Sequence, residues 1–266
     1  MRSFLLFRLY GPLASWGEIA VGEVRPSALQ PTRSALLGLL GAALGLRRDD
    51  EAALADLGRS LHFAVLVERV GVPIMDYHTT QVMPPQRGRT TLTRSDQLRE
   101  RRHALATILS RRDYRCDALY DVAAWHEEAE PAYPLPRLAA ALDRPAFSLY
   151  LGRKSCPLAL PVGPRIVESE SALSALKGRP APTLDVPGAR RGASLSAHLP
   201  GPRLGLFWDG DPGLGKAAAE SRTVRRDDPV SSSRRIFQTR AEDFQALDRS
   251  DSAEDSDVVE PDTPVV

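Results

Sequence analysis

Pro31-Thr32-Arg33-Ser34-Ala35-Leu36-Leu37-Gly38-Leu39-Leu40-Gly41 is the most legible stretch of this chain. A hydroxyl residue of the kind that caps helices precedes an apolar run reaching Leu46, which predicts a helix, and the glycines within it leave room for a neighbouring element to approach closely. Upstream, Phe4 to Tyr10 is a mostly apolar run closed by Gly11-Pro12, the pattern of a buried strand followed by a turn. Downstream, Asp49-Asp50-Glu51 opens a shorter helix through Leu57, acidic in its first turn as the helix dipole favours, and Leu61 to Glu68 reads as another strand. Strands and helices are mixed along the chain, so the class is α+β.

Farther out, the stretch from Asp76 to Arg102 is polar, holds Pro84-Pro85 and Gly88, and carries Arg87, Arg89, Arg94, Arg99, Arg101 and Arg102. It predicts a projecting basic hairpin or loop. Tyr114 to Trp125 has strand-like composition, Arg137 to Leu142 suggests a short helix, and Tyr150 to Pro157 is a compact turn with the adjacent cations Arg153 and Lys154. Pro161 to Gly201 is rich in Pro, Gly and Ser with weak periodicity, and Leu204 to Trp208 is a late strand. Beyond Arg240 the composition turns acidic. From Phe244 to Val266 the chain has too little apolar side chain to order itself, so 241–266 is expected to be a disordered tail.

The composition excludes several functions. With 266 residues, 42% of them hydrophobic, the chain can bury a sizeable core. No apolar run approaches the roughly 20 residues that span a bilayer, and Ala35 to Leu46 is interrupted by Gly38, Gly41 and Gly45, so no membrane association is expected. The start, Met1-Arg2-Ser3 before Phe4-Leu5-Leu6-Phe7, is too short for a signal-peptide core. Cys116 and Cys156 form neither a disulfide framework nor a cysteine zinc site, which fits a cytoplasmic protein. The histidines His62, His78, His103, His126 and His198 are dispersed without metal-ligand spacing, so neither a metal nor a cofactor is expected. Gly210-Asp211-Pro212-Gly213-Leu214-Gly215-Lys216-Ala217 nearly matches a phosphate-binding loop. Ala217 lacks the hydroxyl that would hold magnesium, however, and Pro212 removes a backbone donor.

The formal charge is only +1, but the cations are nearly all arginine, with lysine at 154, 177 and 216 alone. Arginine suits phosphate oxygens and stacks on bases; a biased genome would give the same composition. Arg25 and Arg33 flank Pro31-Thr32 at the start of the helix, where free N–H groups and the dipole make an anion site. Arg153-Lys154 and Arg234 to Arg240 are further cationic clusters, and Trp16, Tyr77 and Tyr114 could stack on single-stranded RNA. Trp16 could equally cap the core. Tyr77 and His78 could stack on RNA without chemistry or, as the alternative, cleave it without metal.

Five ordered blocks carry a resemblance. Gly11 to Gly17, Pro31 to Gly41, Asp76-Tyr77-His78-Thr79, Thr107 to Tyr114 and Tyr150 to Pro157 together resemble the CasD subunits of type I-E CRISPR Cascade, with Arg234 to Arg240 resembling the basic end of that family. The resemblance implies a ferredoxin-like (RRM-like) antiparallel sheet with helices on one face. It places a ferredoxin-like domain at 1–150, an inserted β-hairpin thumb at about 78–106, and a smaller, β-rich C-terminal part at 151–240. It further implies a non-catalytic subunit that grips the 5′ handle of the CRISPR RNA, packs against backbone and large subunits, and meets target DNA through the complex. Relatives in type I-C systems cut the repeat RNA themselves, which keeps a metal-independent endoribonuclease as the alternative. Carried onto this chain, the RNA-facing residues are Trp16, Arg25, Thr32, Arg33, Ser34, Tyr77, His78, Tyr114, Arg153 and Lys154, with Arg87, Arg89 and Arg94 on the thumb. The Met83-Pro84-Pro85 segment departs from the family pattern, and the acidic tail is an extension outside it.

Overall fold

The computed structural model describes residues 1–83, 93–98, 105–180, 182, 195–215 and 218–247. The chain opens with β1 (Arg2–Tyr10) and the two-residue strands β2 (Leu13–Ala14), β3 (Trp16–Gly17), β4 (Val24–Arg25) and β5 (Ser27–Ala28). Helices α1 (Arg33–Leu44) and α2 (Glu51–Arg59) lead to β6 (Leu61–Arg69). Then come β7 (Val72–Val82), α3 (Arg94–Leu98), β8 (Ala106–Cys116), β9 (Leu119–His126), α4 (Leu135–Asp143) and β10 (Arg165–Ser169). The last elements are α5 (Ala172–Lys177), α6 (Leu195–His198), β11 (Gly205–Trp208), β12 (Ser221–Ser231) and β13 (Ile236–Ala246).

The central sheet has seven strands in the order β10-β1-β9-β6-β11-β13-β12, each pair antiparallel. Strands β1, β9, β6 and β11 are largely buried on both sides, which is why they read in the sequence as mostly apolar runs without alternation. Leu5, Phe7 and Leu9 of β1 face a core completed by Leu36, Leu40 and Ala43 of α1, Leu57 of α2, and Leu138 and Leu142 of α4. Phe4 and Leu6 point the other way, onto Trp125, Leu66 and Trp208 and onto Ala172, Ala175 and Leu176 of α5. The sheet therefore carries helices on both faces, not on one as expected, because Phe4 and Leu6 are as apolar as Leu5 and Phe7 and need their own cover. Burying each large side chain here stabilises the fold by roughly 1.5–3 kcal/mol.

Helix α1 forms where its cap predicts. Thr32 Oγ1 accepts the Ala35 N–H at 3.2 Å, and Gly45 ends the helix in the left-handed region at φ 80°. At Gly41 a Cβ would press on Leu54 of α2, so this glycine admits the neighbouring helix.

Three expected boundaries change. Tyr114 to Trp125 is not one strand: the chain turns at Asp117, φ 55°, so Tyr114 belongs to β8 and Trp125 to β9. The hairpin expected from Asp76 starts earlier, since β7 begins at Val72 and pairs with β8 in register from Val72↔Cys116 to Val82↔Ala106. The acidic tail begins later than expected: β13 continues through Ala246, Phe244 packs on Phe207 with ring centroids 4.6 Å apart, and Leu247 is buried. Nor do the residues after 150 form a separate layer, because β10, β11, β12 and β13 all join the sheet of β1, β6 and β9.

Candidate nucleic-acid interface

Strand β8 is the spine of a second sheet. It pairs with β7 on one side, and on the other with β2 at Cys116 and Arg115 and with β4, in parallel, at Arg111 and Arg112. Register sets Arg25 beside Arg112, and Arg112 opposite Asp76. Successive strand residues point to opposite faces, so Arg25, Arg112, Tyr114, Asp76 and His78 share one face, while Arg111 and Tyr77 belong to the other.

The loop 150–157 closes over this face. Tyr150 bridges Pro157, the Leu151 N–H donates to the Cys156 carbonyl at 2.7 Å, and the Ser15 N–H donates to the Leu151 carbonyl at 3.0 Å. Gly152 adopts φ 84° with its α-carbon against the Ser15 carbonyl, where a Cβ would collide with the oxygen. This close approach places Arg153, whose guanidinium lies 4.7 Å above the Tyr114 ring. From there Arg153 donates to the carbonyls of Asp113 at 3.3 Å and Arg25 at 3.1 Å. One side chain thus ties the 150–157 loop to β8 and β4. Tyr114 is buried beneath it; burial would raise its phenol, but the Arg153 guanidinium and the Ser155 hydroxyl outweigh burial and hold it below its ordinary value. Lys154, next in the loop, is exposed. The result is a cationic strip of Arg25, Arg112, Arg153 and Lys154, in which Arg153 is held in place and Arg25 and Arg112 sit side by side by register. His78 on the same face is half exposed, its Nδ1 3.6 Å from the Asp76 carboxylate.

Other expected contacts lie elsewhere. Arg33 is 8% exposed and fully engaged: Nε donates to Asp228 at 2.8 Å, Nη1 to Asp209 at 2.9 Å and to the Leu61 carbonyl at 2.7 Å, and Nη2 to the Gly58 carbonyl at 2.7 Å. The α1 N-terminus does attract an anion, but the anion is the protein's own Asp227, which accepts the Arg33 N–H at 2.9 Å. Thr32 is buried as the helix cap, and Ser34 Oγ lies 3.2 Å from its hydroxyl. Trp16 is core, 1% exposed and edge-on to Tyr120 with centroids 5.6 Å apart. Trp16, Thr32 and Arg33 therefore hold the fold and do not face a ligand, while Ser34 is half-buried beside the cap.

Arg240, from the late basic cluster, joins the same buried network. It binds Asp227 at 2.7 Å and Glu242 at 2.7 Å, and Arg225 meets Glu242 at 3.1 Å. Burial raises the Asp209 carboxyl, but His62, Arg33, Arg240 and the Phe63 N–H outweigh it and hold the group below its ordinary value. Arg94 is exposed at the start of α3, whereas Arg87 and Arg89 lie outside the described residues. In the near-match to a phosphate loop, Pro212 accepts the Ala172 N–H at 2.8 Å, so that segment packs on α5; Lys216 and Ala217 lie outside the described residues. Burial pushes both the Cys116 and the Cys156 thiols up. Sequence reasoning passed over Arg112, although two adjacent arginines on a strand must place one on each face. Among the described residues no helix is long and apolar enough to cross a membrane.

Residues 4–242 match the family model described as CRISPR-associated protein (Cas_Cas5). The chain belongs to the Cas5 family of CRISPR-associated proteins. Within this Cas5 protein, 163 residues are 39% identical to the CRISPR system Cascade subunit CasD of Escherichia coli (strain K12), covering 61% of the chain and 70% of that relative. The fold of a chain from a solved CRISPR RNA-guided surveillance complex matches it with a TM-score of 0.60 and 27% identity, over 92% of this chain and 89% of that one. A solved Cas protein matches with a TM-score of 0.53 and 27% identity, over 91% and 95%. The Cas5 match ends at residue 242, inside β13, so the acidic segment lies beyond it.

Proposed function

We propose that this Cas5 protein is a non-catalytic subunit of a Cascade-type complex that holds the 5′ handle of the CRISPR RNA against the β7–β8–β4 face. The observation that carries the reading is the Arg25, Arg112, Arg153 and Lys154 strip, in which Arg153 is fixed by stacking on Tyr114 and bonding two carbonyls. Planar guanidiniums held in register suit successive phosphates of a single strand. Strand order β10-β1-β9-β6, with α1 and α4 in the connections, supports a ferredoxin-like core. The β7–β8 hairpin inserted between β6 and β9 supports its reading as the thumb, and the exposed Ile74, Met75, Tyr77 and Ile108 on it suit contact with a neighbouring subunit. Against cleavage stands the geometry of Tyr77 and His78: adjacent on a strand, they point to opposite faces and cannot act together on one phosphate.

The test is a single incubation of purified chain with end-labelled repeat RNA in chelator, reading retention and cleavage together. Retention without cutting is expected, with Arg153→Ala weakening binding at every sequence and flattening the salt slope by about one unit. Cutting that disappears in His78→Ala would replace this reading with the endoribonuclease.

A further inference from the structure

The C-terminal acidic segment has no part in the function proposed above. Residues 248–266 carry seven carboxylates against Arg249, a net charge of −6, which leaves +7 on residues 1–247. None of that excess lies in the inner charge network, where Arg33, Arg225 and Arg240 are outnumbered by Asp209, Asp227, Asp228 and Glu242. The strip of Arg25, Arg112, Arg153 and Lys154 is different in kind, because Arg25 and Arg153 spend their described hydrogen bonds on neutral carbonyls and keep their charge.

The chain leaves the sheet on the side of that strip. Ala246 pairs with Gly205, and Gly205 with Val67 near the end of β6, from which the chain passes through Gly71 into β7. Two strand spacings are about 10 Å, and Arg112 lies four residues along β8 from Cys116 at the hairpin root, about 13 Å. The nineteen residues after Leu247 can reach about 65 Å.

We propose that residues 248–266 bind the Arg25–Arg112–Arg153–Lys154 face of the same chain as an internal polyanion, which RNA must displace. Tethering sets the local concentration of the segment at the millimolar level, so even weak attraction keeps the face occupied. Binding to the face stands on charge and reach; only its competition with RNA rests on the RNA-binding reading.

Lys154, Lys177 and Lys216 are the only lysines, which makes zero-length carbodiimide coupling of full-length protein diagnostic. The expected product is an intramolecular link between Lys154 and a carboxylate within 248–266, formed at low salt and lost at about 1 M, where screening acts over about 3 Å. Coupling of the segment to Lys177 or Lys216 without Lys154, or to no lysine, overturns the proposal. In a second arm, a full-length chain with Asp251, Glu254, Asp255 and Asp257 changed to Asn or Gln is expected to bind repeat RNA roughly two- to tenfold more tightly at low salt, and equal affinity overturns the competition. If neither chain retains RNA, the RNA-binding reading fails, while the Lys154 link still decides where the segment sits.

Discussion

Arg33 and Arg153 bear the same guanidinium in opposite circumstances. Both stand in blocks that read as phosphate contacts, but Arg33 meets Asp209 and Asp228 inside the protein while Arg153 meets a ring and two carbonyls at its surface. Removing one partner of a buried charge network strands the others, so Arg33→Ala is expected to destabilise by ~3–5 kcal/mol in denaturant titration, with RNA affinity of the folded protein unchanged. Arg153→Ala is expected to reverse that pattern, costing ~1 kcal/mol or less of stability while weakening RNA retention. No local spacing separates the two cases, because the carboxylates that claim Arg33 lie far along the chain. His126 provides a pH test. Its Nε2–H donates to the Tyr133 carbonyl at 3.0 Å, so Nδ1 accepts from the Ser60 hydroxyl at 2.9 Å. Burial, opposed by those two contacts, lowers the imidazole from its ordinary 6.5. The unfolded chain therefore binds the proton more readily, and the contribution is present above pH 6.5 and lost as pH falls through the depressed value. The melting temperature is expected to fall between pH 7 and 5, with a shallower fall in His126→Gln.

Elements differ in how openly the sequence declares them. The Thr32 cap and the glycines of α1 are local, and so is the apolar run of β1, so both are legible. The turn at Asp117 carries neither Gly nor Pro, and the break between β8 and β9 is hidden because residues of two different sheets share one composition. The 150–157 loop is legible as a turn, but its use is not. Gly152→Ala is expected to strain the backbone by ~1–3 kcal/mol and to push the loop off Ser15, displacing Arg153; proton exchange at the Leu151 amide and RNA retention would both report it. The β12–β13 turn has a different support: the Glu51 carboxylate accepts the Ser232 and Ser233 amides at 3.2 and 2.9 Å and the Ser231 hydroxyl at 2.8 Å. Bonds from Ser233 above all, then Ser231, lower that carboxyl to about 2. Glu51→Ala is expected to speed hydrogen exchange at those amides without unfolding the sheet.

At the scale of the molecule, the sheet closes through its C-terminal strands. Ending the chain after Arg240 would delete Ala241–Ala246 of β13, removing Glu242 and Asp243 from Arg225, Arg240 and Arg222 and Phe244 from Phe207. Such a protein is expected to lose its cooperative thermal transition, whereas a chain ending at Leu247 is expected to keep it. Composition alone would have drawn the boundary at 241, because Glu242 and Asp243 look like the acidic residues beyond them until the arginines facing them are known. By itself the sequence determined the α+β class, the strands at 4–10, 61–68 and 204–208, the capped helix and the family resemblance, since each is written in neighbouring residues. Only the tertiary structure decided that helices cover both faces, that Arg33 and Trp16 are internal, and that Arg25, Arg112 and Arg153 stand together. Those outcomes depend on which distant charge or ring comes within a few ångströms, and that distance is set by sheet register and not by spacing along the chain.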